Sequence, residues 1–398
     1  MNTDLRPGPL AGIRIVDLSA VVSGPMAAGL LADQGADVIK VEAGRGDLTR
    51  IIGPSRDGIT GLFAAINRGK RSIVLDLKQA SARGVLNDLL ARADVVIENF
   101  RPGAMTRLGF AFDAVAAFNP RIVYLSISGF GQSGPLSGGR VYDPVIQAVA
   151  GFADAHPDPR SGEPQLLQTL MCDKITALAA AQAVTAALFA RERTGKGQRI
   201  ELSMLDAAVS FLWPEAFYNH AFQDDPPPPI PEFGASQRLW RCRDGWLALI
   251  TPQDEEFAAM CRVLGLPQLI TDSRFVSIPS RRLNQSALRE LADPIVAGRA
   301  VDELAAELAA AGVPVGRVNT KSQLPHDPQV RHNALLRDTP YPGLGRIRTP
   351  RAAAQFLGMP FDDTRLAPRL GEHSRSVLLE LGRSEAEIQT LLAAGAVT

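Results

Sequence analysis

Short runs of apolar, often β-branched residues recur through the first third of the chain: "GIRIVDLSA" (12–20), "DVIKVE" (37–42), "SIVLDL" (72–77), "DVVIENF" (94–100) and "RIVYLSIS" (121–128). They predict strands, and their lack of polar alternation is that of strands covered on both faces. Between them, "PMAAGLLADQGA" (25–36) and "ASARGVLNDLLARA" (80–93) place apolar residues at helical spacing. Strand and helix in alternation predict βαβ units around a parallel sheet. Ligands of such sheets bind beyond the carboxyl ends of the strands, which directs attention to "SAVVSGP", "EAGRGD", "DLK", "ENFRPG" and "SGFGQSGP".

The pattern changes further on. "TLMCDKITALAAAQAVTAALFARERTGKGQ" (169–198) reads as one long alanine-rich helix, and "IELSMLDAAVSFLW" follows it. "DDPPPPIPEFGAS" (224–236) is a proline-rich connector that holds no helix. Beyond it, the strand "GWLALIT", the helices "DEEFAAMCRVLG" and "VDELAAELAAAG" and the strand "VPVGRVNT" predict a smaller α+β domain. From about 330 the tail has short strands and the helix "SRSVLLELG".

Bulk composition narrows the partners. Forty-two basic residues balance forty-two acidic ones among 398, so no global field draws the chain to nucleic acid or to an anionic membrane. Any anionic ligand must be met locally. Cys172, Cys242 and Cys261 have neither disulfide-framework nor metal-ligand spacing, and no metal site is expected. The start "MNTDLRPGPLAG" lacks a signal peptide's apolar stretch. The longest apolar run, 175–190, is broken by Thr176, Gln182 and Thr185 and reads as too short to span a bilayer. A soluble cytoplasmic protein is expected.

Candidate chemistry is sparse. "GFGQSG" (129–134) fits the dinucleotide fingerprint after a strand, but "PLSGGR" follows where a helix should open, so its glycines suit a turn or a close approach to another ligand. Lys70, Arg71, Lys78, Arg101, Arg107 and Arg140 recur near predicted strand ends and, if they converge, suit a ligand with phosphates. Asp143, in "RVYDP", and Asp173 both stand where helices should begin. Either reads as a helix cap, Asp143 with Pro144 behind it.

Six segments in order, "GIRIVDLS", "GADVIKVE", "KRSIVLDLK", "ADVVIENFRPGAM", "SISGFGQSGP" and "RERTGKGQ", resemble the family III CoA-transferases, the group of formyl-CoA transferase, carnitine CoA-transferase and the sister α-methylacyl-CoA racemases. The resemblance covers about the first 210 residues. It implies an α/β chain with a Rossmann-like large domain (1–210), a linker (211–236), a small α+β domain (237–325) and a return linker completing the large domain (326–398), in an interlocked homodimer. It implies that Asp173 attacks an acyl-CoA thioester, giving first a mixed anhydride and then an aspartyl-CoA thioester, with Asp143 and Tyr142 beside the reacting carbonyl. It implies a site for coenzyme A, bound as a substrate and not as a resident cofactor. That site comprises Val22, Ser23, Leu75, Asp76, Leu77, Lys78, Asn99, Phe100, Arg101, Arg107 and Arg140, and a small carboxylic acid is the second substrate.

Departures from the family pattern bear on the substrate. Ala43 stands where formyl-CoA transferase has an arginine near the adenine end, which bears on the nucleotide grip, and Ala20 replaces a histidine in the first turn. The covering glycine loop has no clear match, "EFGASQ" (232–237) being nearest, which speaks against formyl or oxalyl substrates. The racemase branch uses a histidine base where Tyr142 stands, and a phenol is a poor base at neutral pH. Transfer is therefore the expected reaction. The alternatives are an acyl-CoA racemase or epimerase and a silent CoA-binding protein.

Overall fold

The computed structural model describes residues 8–158, 161–232, 234, 237–359 and 365–398. They divide into two compact units, one of residues up to 211 together with 334–398, the other of 212–333.

The first unit is built on six parallel strands: β1 (Arg14–Asp17), β2 (Asp37–Glu42), β3 (Arg71–Val74), β4 (Val95–Glu98), β5 (Val123–Ser128) and β6 (Gln198–Ser203). Their spatial order is 3-2-1-4-5-6, that of doubly wound nucleotide-binding sheets. Strand direction reverses its lateral progress between β1 and β4, and this is where such sheets open a ligand crevice. Five strands match the sequence expectation. β6 was not anticipated, because its side chains alternate between exposed and half-buried instead of forming an apolar run.

Alternation along each strand supplies two cores. Val16, Ile39, Ile73 and Val96 face one side, packed with Val85, Leu86 and Leu89 of helix Ala80–Ala91 and with Val377 and Ile388 from the last two helices. Ile15, Val38, Val95, Val123 and Leu125 face the other. There they meet helix α1 (Ser23–Ala32) and the long helix Met171–Thr194, through Ala27, Leu31, Ala177, Ala180 and Val184. Small alanines on both helices allow that close layer. At 24 residues the long helix passes by length and composition for a membrane span, contrary to the reading of its apolar run as too short. Its buried alanine stripe instead makes it a core helix of this unit. The tail returns to the sheet, where Val397 bridges Leu75 and Ala396 O accepts from Asp76 N at 3.0 Å.

The second unit has a three-stranded antiparallel sheet, Trp240–Arg241, Trp246–Leu249 and Val315–Arg317, with the middle range central. Helices Asp254–Val263, Gln285–Ala297 and Val301–Ala310 close over a core of Trp240, Leu247, Phe257, Leu304 and Leu308.

Candidate active site

In the turn that follows β1, residues 19–23, both backbone groups of Ser19 and of Ala20 and the N–H of Val21 are held by side chains. Asp17 Oδ1 accepts from Ser19 N at 3.0 Å and from the Ser19 hydroxyl. Asn99, just past β4, accepts from Ala20 N at 2.9 Å and donates to Ala20 O at 2.7 Å. Val21 N reaches Asp47 Oδ1 at 3.3 Å, and Ser19 O takes Lys40 Nζ at 2.9 Å. Val21 sits at φ +70°, a left-handed conformation that costs a β-branched residue about 1–3 kcal/mol. Gly24 is equally constrained, since a Cβ there would lie 2.3 Å from that of Ser19.

Beneath the turn lies a sealed ionic cluster. Lys70 Nζ binds Asp17 Oδ2 at 2.7 Å, Pro25 O at 2.7 Å and Asn67 Oδ1 at 2.9 Å, and Lys40 pairs with Asp47 at 2.9 Å. Burial alone would raise the Asp17 carboxyl, but Lys70 and Lys40 overcome it and hold the group below its ordinary range. Burial lowers Lys70 to about 8 despite Asp17. Lys70 and Arg71 thus leave the set of cations open to a ligand. Lys70 is internal, and Arg71 is paired with Asp37 at 2.6 Å and Glu380 at 2.5 Å.

Asp173 is the third residue of the long helix and is 7% exposed. It does not cap that helix as its position suggested: Leu170 is the N-cap and makes no side-chain cap bond. The cap comes from outside, because Asp143 Oδ2 accepts from Asp173 N at 2.9 Å. Asp143 likewise begins its own helix, Asp143–Val149, as the first helical residue behind Tyr142. Its other oxygen takes Gln147 Nε2 at 2.6 Å. Gln147 also donates to Thr169 O at 3.0 Å and accepts from Leu167 N at 2.8 Å, tying down the loop that leads into the long helix.

Toward its free side the Asp173 carboxylate faces the start of α1, whose Ser23 hydroxyl and backbone N–H act on it as donors that favour its charged form. Two helix N-termini therefore converge on one carboxylate, and both favour negative charge there. Burial nevertheless dominates: it raises the Asp173 carboxyl to about 6, with the Asp143 charge adding and Ser23 and Lys174 opposing. The arrangement holds an acid that is ionised at neutral pH, poorly solvated, and flanked by N–H and O–H donors suited to a developing oxyanion. The neighbouring Cys172 is buried, and burial, with Asp143 and Asp173 behind it, pushes its thiol up to about 12, which leaves it inert.

The remaining expected residues fall into two groups. Lys78, Arg101, Arg107 and Arg140 are exposed beyond the carboxyl ends of β3, β4 and β5, and none of the four has an ion pair among the described residues. Asp76 and Leu77 are half-buried in the turn after β3, and Asn99 and Phe100 in that after β4. Val22 and Leu75 are buried, Leu75 in the sheet core, so either meets a ligand through its backbone at most. Tyr142 is 59% exposed at the head of its helix. No helix opens after "GFGQSG", where Gly131 and Gly134 take positive φ in turns. Of "EFGASQ" (232–237), residues 233, 235 and 236 lie outside the described residues. Among the described residues no cluster of His, Cys, Asp or Glu is arranged to hold a metal ion.

Sequence reasoning missed Gln147, Lys40 and Asp47. Gln147 had a signal, since Asp143 and Gln147 are four apart on one helix face. So did Lys40, a lysine inside an otherwise apolar strand.

Comparison with known proteins identifies the family and the fold. Residues 10–374 match the family model described as CoA-transferase family III. Mouse succinyl-CoA:glutarate CoA-transferase is 32% identical, over 98% of this chain and 90% of its own. Acetyl-CoA:oxalate CoA-transferase of Acetobacter aceti is 34% identical, over 97% of this chain and 99% of its own. The crystal structure of a CAIB/BAIF family protein from Brucella suis superposes with a TM-score of 0.82 at 33% identity, covering 94% of this chain and 100% of that one. A sheet of this order, an acid buried at two converging helix starts, and agreement over nearly the whole length lead to one conclusion: the chain belongs to CoA-transferase family III and is a CoA-transferase.

Proposed function

We propose that the protein moves CoA from an acyl-CoA to a free carboxylic acid through covalent intermediates on Asp173. The observation that carries this reading is the Asp173 carboxylate itself, buried at the meeting of two helix starts, ionisable near neutral pH and faced by the donors of Ser23. A carboxylate oxygen attacks the thioester carbonyl carbon, the C–S bond breaks, and a mixed anhydride forms as the CoA thiolate leaves. The thiolate attacks the Asp173 carbonyl carbon, expels the donor acid as its carboxylate, and leaves an aspartyl-CoA thioester. The acceptor carboxylate then attacks that thioester and releases thiolate. Attack of the thiolate on the acceptor's acyl carbon returns a free Asp173 and the new acyl-CoA.

The two tetrahedral stages formed at the Asp173 carbonyl carbon place negative charge on the carboxyl oxygens that the Ser23 N–H and hydroxyl face. Lys78, Arg101, Arg107 and Arg140 are the groups free to meet the phosphates of CoA. The acid substrate is a short dicarboxylate, by analogy with the glutarate named for the mouse relative. An interlocked homodimer belongs to the same reading, and Leu178 and Phe189 on the outer face of the long helix are apolar side chains that a second copy would cover.

The test is Asp173→Ala with hydroxylamine trapping. Exchange of CoA between acyl-CoA and acid is expected to vanish in the variant, and the wild type incubated with acyl-CoA is expected to yield a hydroxamate on the Asp173 peptide. A variant that still exchanges, or a wild type that never gives the adduct, contradicts the mechanism.

A further inference from the structure

We infer that Lys40 and Asp47 are positioning residues for the transfer: they hold the turn 19–23 in a conformation its own sequence disfavours and so keep the Ser23 donors on Asp173. The inference rests on the covalent role proposed for Asp173.

Val21 supplies the first observation. A valine has no intrinsic reason to adopt φ +70°, so something around it must impose that geometry. Residues 19, 20 and 21 are each gripped from a different place. Lys40 donates to Ser19 O, Asn99 brackets Ala20, and Asp47 accepts from Val21 N. Asp47 is in turn fixed by Thr49, whose N–H and hydroxyl reach the same Oδ1 at 2.9 and 2.7 Å, and by Glu42 Oε1, which accepts from Asp47 N at 3.0 Å.

The second observation is the character of the pair. Lys40 is fully buried in strand β2, and the sheet has no use for a charge there, since a well-packed apolar residue serves a sheet as well or better. The polar partners of Lys40 lie instead at Ser19, Asp47 and Asp17, around the turn. A turn released from this grip would relax Val21 toward the right-handed region. That relaxation swings the first N–H of α1 away from the carboxylate.

Asp47→Asn tests the inference, read by kcat, by KM for acyl-CoA, by the acid limb of the pH–rate profile and by thermal melting. The expected result is a kcat loss on the order of tenfold, the effect of one weakened hydrogen bond to a charged group. KM for acyl-CoA is read beside it because Val22 and Ser23 of the same turn belong to the expected CoA site, and the loss of kcat is expected to exceed any rise in KM. The acid limb should move to higher pH, because Ser23 is what opposes burial and the Asp143 charge at Asp173, with Lys174 as the one further charged group facing it.

Where Asp47→Asn fails to fold, Val21→Gly removes the left-handed cost. Val21→Gly/Asp47→Asn is then compared with Val21→Gly alone, with the same changes expected. Folded variants that lose melting temperature while kcat and the acid limb stay at the parent's values would overturn the inference and leave the pair a scaffold. That outcome is separate from failure of the covalent reading, which shows as turnover in Asp173→Ala whatever the Asp47 variants do.

Discussion

Asp173 is destabilising by design of its surroundings. Its carboxyl titrates near 3.8 in an unfolded chain and near 6 in the fold, first because of burial and then because of Asp143. A folded acid with a raised value binds its proton more tightly than the unfolded one, so the fold loses stability as pH climbs from the lower value to the higher. Above the higher value the whole cost is present, about 3 kcal/mol for a difference of this size. Asp173→Asn is therefore expected to raise the melting temperature at neutral pH, with the gain shrinking through the interval and absent below the unfolded value. Thermal scans of both proteins across pH check this, and a gain that persists unchanged in acid would contradict it. Activity runs the other way, since only the ionised acid attacks, and turnover should fall as pH drops through about 6. Sequence places this residue at a helix start, and of the two roles it suggests there the cap is the one the fold does not use. A cap needs the residue before the helix, and Asp173 lies three positions inside, where its side chain is free for other work.

Helix Asp143–Val149 acts as a clamp more than as a cover. Asp143 and Gln147, one turn apart, jointly hold the loop 167–169 and the first turn of the long helix. Gln147→Ala leaves Leu167 N and Thr169 O without that partner, a loss of about 1–3 kcal/mol in a buried setting. Chemical denaturation should show that loss, and kcat should fall more than KM rises because the nucleophile is displaced and the CoA cations are not. A neutral outcome in both would mean that the loop holds itself. The strands β1 to β5 were legible because a sheet covered on both faces demands unbroken apolar runs, and "DVIKVE" or "DVVIENF" can do little else. The sixth, "QRIELS", lies on an edge and alternates, which sequence cannot separate from a turn. Val21 gave no signal at all, since its conformation is imposed by Asp47, Asn99 and Lys40 from three other segments.

At the level of the whole chain, a net charge of zero conceals a local division of labour. Many basic residues are consumed internally, as Arg50 is by Glu42 at 2.7 Å and Lys70 by Asp17 at 2.7 Å, while Arg101, Arg107 and Arg140 remain exposed beyond the strands. Alanine at any of these three should raise KM for acyl-CoA several-fold at low salt, with kcat preserved. The effect should shrink as ionic strength rises, because exposed charges are screened beyond about 10 Å. Steady-state kinetics at two salt concentrations decide it, and a loss confined to kcat would place the arginine in the chemistry instead.

The central claim is that an oxygen of Asp173 is exchanged with the acid during turnover, and heavy-oxygen labelling tests it most directly. If the acceptor carboxylate carries the heavy isotope at both oxygens, one must remain in the product thioester and the other must be left on Asp173. Mass spectrometry of the peptide around Asp173 after turnover is predicted to show that label, absent when acyl-CoA or acid is omitted. Full turnover with an unlabelled Asp173 would contradict the account.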